Sequence, residues 1–154
     1  MRRNEKEITD ISEMEAIIKE CKLIRVAFGS AEPYLLPFNF GYDNNCIYIH
    51  CAPEGRKLNL IRENPKIAFE VTIDGGIKNT DAVEACRTGY KYKCVLGSGV
   101  ATLITSDEDK IHPLNVIMKH QTGNTSPIYN PESLAKTNII QIAITSMTGK
   151  KSGY

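Results

Sequence analysis

Apolar positions recur along this chain in two rhythms, one of about 3.6 residues and one of two. Ser12 and Glu15 have capping-box spacing, and Met14, Ile17, Ile18 and Cys21 follow at helical intervals. They predict an amphipathic helix over 12–22. "LIRVAFGS" and "YLLPFNF" then read as strands separated by a turn at "SAEP". Pro37 lacks the N–H that a central ladder needs, so the second strand is expected at a sheet edge or at a bulge. "YDNN" predicts a hairpin turn, because Asn and Asp tolerate left-handed backbone angles. "CIYIHC" is the returning strand.

A helix beginning near Glu54 buries Leu58, Leu60 and Ile61 and stops before Pro65. "KIAFEVTI" is another strand. The stretch 74–87 is polar without a clear period and reads as a long loop or an excursion between strands. "YKCVLGSGVATLI" is a long strand whose Gly97 and Gly99 predict a bend, a bulge or a close backbone approach. "SDEDKIHPLNVIMKHQTG" is a helix with acids first, His120 in its last turn and Gly123 just beyond. "NIIQIAITSM" alternates as the last strand, and Lys150 and Lys151 are expected in a solvated tail. About six strands in hairpin-like pairs with about three helices predict a mainly β fold, an antiparallel barrel with flanking helices, as one domain over 1–154.

Composition narrows the function. Apolar residues make up 42% and charged residues 24%, values of an ordinary soluble domain. The net charge of +1 gives no broad basic surface for nucleic acid or an anionic membrane. The start "MRRNEKEITD" has no apolar stretch of the signal-peptide kind, and "NIIQIAI" is too short to span a bilayer. Five cysteines without CxxC spacing, and three histidines that do not pair with them at ligand spacing, predict reduced thiols in the cytoplasm and no metal site.

One conflict points to chemistry. Arg56 and Lys57 stand in the first turn of the second helix, where open N–H groups and the macrodipole are already positive. An anion bound there, such as a phosphate monoester, would resolve the conflict, with Gly55 allowing close backbone approach and His50 adding a hydrogen bond. The alternative is that both side chains point into water with Glu54 offsetting them, at a cost of only about 0.3–1 kcal/mol.

Several segments in order, "NEKEITD", "PYLLPFNFGY", "IYIHCAPEGRKLNLIRENPKIAFEV", "YKYKCVLGSGVA", "MKHQTG" and "TGKKS", resemble the pyridoxamine 5'-phosphate oxidase-like, FMN-binding split-barrel proteins, in particular their nitroimidazole-resistance-type (Nim) branch. The resemblance implies an antiparallel split barrel that forms a homodimer with FMN at the interface. It implies that Leu36, Pro37, Phe38 and Asn39 run beside the flavin ring, and that Ile49, His50 and Cys51 end the strand facing the ribityl chain and phosphate. Arg56 and Lys57 would hold the phosphate, with Tyr92, Lys93, Cys94 and His120 as further cofactor contacts. The implied activity is reduction of a small oxidised or nitroaromatic acceptor with electrons from a small-molecule donor. A flavin-binding sensor or carrier without turnover shares the same motifs, and similar barrels hold haem or a deazaflavin instead.

The chain also departs from the family. It has no Trp, and it ends in "TGKKSGY" rather than the Trp- and Arg-containing segment with which the vitamin B6 oxidases grip their substrate. Cys94 stands where the Nim branch commonly has Ser. For single residues two roles stay open. His50 either gives a proton to the reduced substrate, as a catalytic residue, or only binds the cofactor. Cys51 is either activated beside Arg56 or an ordinary half-buried thiol. His120 either caps its helix or touches the flavin of the other subunit.

Overall fold

A computed structural model describes residues 4–29 and 32–154. The elements are a 3-10 turn (Asn4–Lys6), β1 (Glu7–Ile8), α1 (Ile11–Glu20), β2 (Leu23–Phe28), β3 (Tyr34–Asn39), β4 (Gly41–Asp43), β5 (Cys46–Cys51), α2 (Arg56–Glu63), β6 (Lys66–Lys78), a 3-10 turn (Ala85–Arg87), β7 (Gly89–Ile104), α3 (Asp107–Thr122), α4 (Pro131–Ala135) and β8 (Asn138–Ser152).

The strands form one antiparallel sheet in the order β3-β2-β6-β7-β8-β5-β4, with β1 added beside β8. β3 and β4 sit at opposite ends of this path, yet only Phe40 separates them in sequence. The sheet must therefore curl until its two ends meet, without hydrogen bonds between them. That is an antiparallel split barrel, with fully buried Phe40 at the split. Pro37 lies on the edge strand β3, where its missing N–H costs no ladder bond.

Alternation along β2, β5 and β6 sends Ile24, Val26, Ile47, Ile49, Phe69 and Val71 inward. Met14, Ile17 and Ile18 of α1 and Leu58 and Ile61 of α2 join the same core. α3 lies on the outside, covering Tyr48 and Ile139 with Ile117. Its close fit depends on Gly41, where a Cβ would stand 2.6 Å from the Ile117 backbone nitrogen. The outer faces of β3, β2, β6 and β7 stay open.

Five expectations need correction. α1 is capped by Asp10, not Ser12: the Asp10 carboxylate accepts from the Ser12 N–H at 2.9 Å, while Glu15 accepts from Tyr42. The helix also ends at Glu20, because Cys21 is extended. Of the stretch 74–87, residues 74–78 continue β6 and residues 79–87 form the loop before β7 starts at Gly89, so it is an excursion between paired strands and not loop throughout. This arm projects beyond the core, so neither of its faces needs an apolar rhythm. A bulge between Asp74 and Ile77, and a 2.6 Å bond from the Tyr90 hydroxyl to Asp74, shape it. Lys150 and Lys151 are not a solvated tail. They belong to β8, and Lys151 pairs with Glu13 at 2.8 Å. "YLLPFNF" does not return directly as β5, because the short β4 intervenes. Finally, α4 was not anticipated.

The other turn readings hold. Asn44 and Asn45 both have positive φ between β4 and β5. Gly97 faces the Phe69 ring too closely for any Cβ, and the β7–β8 register shifts between Ser98 and Gly99. The "SAEP" turn falls partly on Ser30 and Ala31, outside the described residues.

Candidate functional site

α2 begins at Arg56 after Gly55, whose φ of 134° suits glycine and few other residues. No side chain caps this helix and its first turn carries no acid; the Leu58 N–H donates to the Gly55 carbonyl at 3.0 Å, which leaves the N–H groups before it without a side-chain acceptor. A Cβ on Gly55 would find nothing closer than the Lys57 Nζ at 3.9 Å, so the backbone is approachable. The Arg56 guanidinium lies over the ring of Tyr34, which opens β3, at 4.6 Å and pairs with Glu32 just before that strand. Its partial counterion is thus Glu32, not Glu54. The cradle has the chemistry a phosphate monoester needs: open amides, two cations and no fixed carboxylate within the helix start.

Strand pleat sorts the other candidates. On β3, Leu36 and Phe38 pack against the core, whereas Pro37 and Asn39 face out. On β5, Ile49 and Cys51 are buried and His50 is exposed. Ile49 and Cys51 can therefore offer a ligand little but their backbone, while Leu36 and Phe38 keep part of their side chains accessible. Burial pushes the Cys51 thiol up, against the opposing pull of the Lys57 charge, so Cys51 matches the ordinary-thiol reading. On β7, the side chains of Tyr92 and Cys94 lie on the open outer face and that of Lys93 on the opposite one. Burial likewise raises the Cys94 thiol, with Glu70 adding to it.

The barrel split brings Asn39 and His50 to one cavity of about 460 Å³ beneath α3 and the 124–137 segment. His120 lies elsewhere. Its Nε2 donates to the Cys21 carbonyl at 2.9 Å, and its ring meets Phe40 edge-on at 4.6 Å. Burial lowers its pKa. Gln121 donates to the Phe40 and Lys22 carbonyls, so "MKHQTG" clamps the end of α3 to the α1–β2 and β3–β4 junctions. A second cavity, of about 600 Å³, opens on this side between Lys19, Asp43, His112 and Lys119.

Four contributors escaped the sequence reading. Tyr34 and Glu32 orient Arg56, and nothing in their spacing signals it. The roof over His50 is built from 124–137, and its short helix was detectable from Asn130-Pro131, a helix cap followed by proline at the first position. Lys110, only 2% exposed, donates to Asp107 at 2.7 Å and to the Leu134 carbonyl at 3.1 Å, fastening that roof to α3.

Comparison with known proteins gives a consistent picture. Among solved structures, a candidate 5-nitroimidazole antibiotic resistance protein from Bacteroides thetaiotaomicron is 27% identical, with a TM-score of 0.80 over 94% of this chain and 86% of that one. A FAD- and haem-binding protein from Mycobacterium smegmatis shares the fold at 20% identity and a TM-score of 0.81, covering 97% of this chain and 74% of that one. So does a flavocytochrome from Azotobacter vinelandii, at 19% identity and 0.82, covering 100% and 72%. No curated protein matches the chain. The family profile described as pyridoxamine 5'-phosphate oxidase matches residues 10–151, and the chain belongs to that family.

Proposed function

We propose that this protein is an FMN-binding flavoprotein that reduces a small oxidised acceptor. The observation that carries the reading is the start of α2: an uncapped helix, Gly55 in a glycine conformation, and Arg56 and Lys57 in an acid-free first turn. Its place in a chain matched over 10–151 by the oxidase family makes a flavin phosphate the natural anion. When bound, the flavin supplies the electron transfer. The protein's own residues grip the phosphate through Arg56, Lys57 and the open amides. Pro37 and Asn39 line the ring side, and His50 stands at the cavity as a proton donor.

We place the dimer contact on the open outer sheet face. Leu35 of β3, Leu23 of β2, and Leu96 and Val100 of β7 across β6 are 60%, 55%, 49% and 39% exposed there, more apolar surface than a solvated face needs. Five free cysteines fit a reducing cytoplasm. No helix among the described residues is long and apolar enough to cross a membrane.

Titration with FMN tests the grip. Each lost charge-assisted bond is worth roughly 1–1.5 kcal/mol at these partly exposed side chains, so the Arg56→Ala, Lys57→Ala double variant should bind FMN about 100-fold more weakly. Unchanged affinity in a folded double variant would remove the phosphate assignment.

A further inference from the structure

We infer that a cluster of lysines at the base of the β6–β7 arm binds a compact polyphosphate, the pyrophosphate group of a small molecule. Strand pleat gathers Lys78, Lys91, Lys93 and Lys151 on one face of the sheet. Lys78 pairs with Gly89, and Gly89, Lys91 and Lys93 alternate onto the same side of β7. Lys93 stands directly opposite Lys151 of β8, and like charges so placed destabilise a sheet. Only Lys151 is neutralised, because both Glu13 carboxylate oxygens accept from it, at 2.8 and 3.0 Å. Among the described residues no carboxylate lies within ion-pair distance of Lys78, Lys91 or Lys93. Asp74 is on the opposite face, where it takes the Tyr90 hydroxyl and the Gly76 N–H.

These side chains are gathered at one spot. Gly153, with a φ of 82°, turns the chain after β8 back over the sheet. A Cβ on Gly153 would stand 3.3 Å from Lys91 Cγ and 3.4 Å from Lys78 Cδ, so both stems pass beside it. The Tyr154 ring that follows lies 4.2 Å from the Lys91 ammonium and 4.5 Å from that of Lys93. Lys91 and Lys93 are both half-buried. The ring quadrupole attracts each cation but carries no charge to neutralise it. Two ammoniums at one ring, with a third stem alongside, make a local positive focus on a chain whose net charge is only +1.

The chemistry selects the ligand. Ammoniums are compact point charges that bind phosphoryl oxygens well. The focus covers one short stretch of sheet, so it fits a small anion of high charge density better than an extended acidic chain. It is also remote from the start of α2. Arg56 rests on Tyr34, which pairs with Phe28 near the Ala68 end of β6. From Ala68 to Lys78 that strand runs roughly 30 Å, at about 3.3 Å per residue. The lysine cluster is therefore a second anion site, and it does not rest on the flavin reading.

Calorimetric titration of the full-chain Arg56→Ala, Lys57→Ala protein with inorganic pyrophosphate tests it, because that background silences the start of α2. Pyrophosphate should bind about 10-fold more tightly than orthophosphate. Adding Lys91→Gln and Lys93→Gln should weaken it about 10-fold or more, with the far-ultraviolet spectrum unchanged. Lys91→Arg with Lys93→Arg should keep it within about 3-fold, which a loss of packing would not do. ADP-ribose separates the sources: tighter binding than pyrophosphate assigns the group to a dinucleotide, and equal or weaker binding to a free polyphosphate. No binding of pyrophosphate, equal affinity for orthophosphate, or a folded Gln variant that binds like its background overturns the inference. In the parent saturated with FMN the site should still fill, and its loss there would make the cluster part of the flavin site and overturn the inference too. A parent that takes no FMN, while the background variant binds pyrophosphate through Lys91 and Lys93, keeps the inference and removes the flavin reading.

Discussion

Lys110→Met removes the ammonium that ties α3 to the roof of the His50 cavity while leaving most of the stem's packing. The nitrogen donates to Asp107 at 2.7 Å and to the Leu134 carbonyl at 3.1 Å, inside a residue only 2% exposed. Asp107 is 57% exposed, so it returns to water cheaply and its half of the pair counts for little. The Leu134 carbonyl keeps the Thr137 N–H at 3.1 Å, so no orphan acceptor remains. What is lost is one charge-assisted hydrogen bond, about 1.5–3 kcal/mol, offset in part because an ammonium no longer has to be buried. The net cost should be about 1–2 kcal/mol. For a chain of this size that lowers Tm by roughly 2–8 °C. Thermal unfolding followed by circular dichroism gives the number. Amide exchange should show faster opening confined to α4 and its flanks. A Lys110→Met protein as stable as the parent, with α4 exchange unchanged, would refute the idea that this buried ion holds the roof.

Other perturbations reach different parts of the account. Gly41→Ala places a Cβ 2.6 Å from the Ile117 nitrogen and 2.8 Å from the Val116 carbonyl carbon, and neither backbone atom can yield without moving α3. It should cost about 3 kcal/mol or more in urea unfolding, and a loss under about 0.5 kcal/mol would contradict the observed seating of α3. His120 has a pKa lowered by burial, so the unfolded chain takes up its proton first as pH falls. The stability it contributes is complete above its unfolded value near 6.5 and is lost as pH drops through the lower folded one. Between pH 7 and 5.5 the parent should therefore lose stability, and a His120→Gln protein should lose less. Parallel pH profiles would count against a buried neutral imidazole.

Parts of this molecule could be read from the chain because they answer to local rules. The Asn44-Asn45 turn, the edge position of Pro37 and the capped α3 follow from backbone chemistry that needs no neighbours. The placement of Arg56 and Lys57 was legible as an electrostatic conflict, and the structure adds the uncapped helix start and the Glu32 pairing. What failed depends on distant partners. Residues 74–78 have no apolar rhythm because they have no core to face, and only the pairing of β6 with β7 reveals them as sheet. Asp10 rather than Ser12 caps α1, and Glu15, which a capping box at Ser12 would use, is taken by Tyr42, 27 residues away. The division of Leu36, Pro37, Phe38 and Asn39 into core-facing and outward side chains required knowing which face of β3 the barrel encloses. Lys110 could not have been singled out, since its burial comes from a segment that packs over it only in three dimensions.

On the proposed function, the start of α2 holds a flavin phosphate. The most direct measurement is the visible absorption spectrum of the protein purified under native conditions and incubated with FMN, with the released ligand identified by mass after denaturation. The prediction is the two-banded absorption of an oxidised flavin at close to one FMN per chain. A folded protein that stays colourless after incubation, or that carries only a haem band, would contradict it.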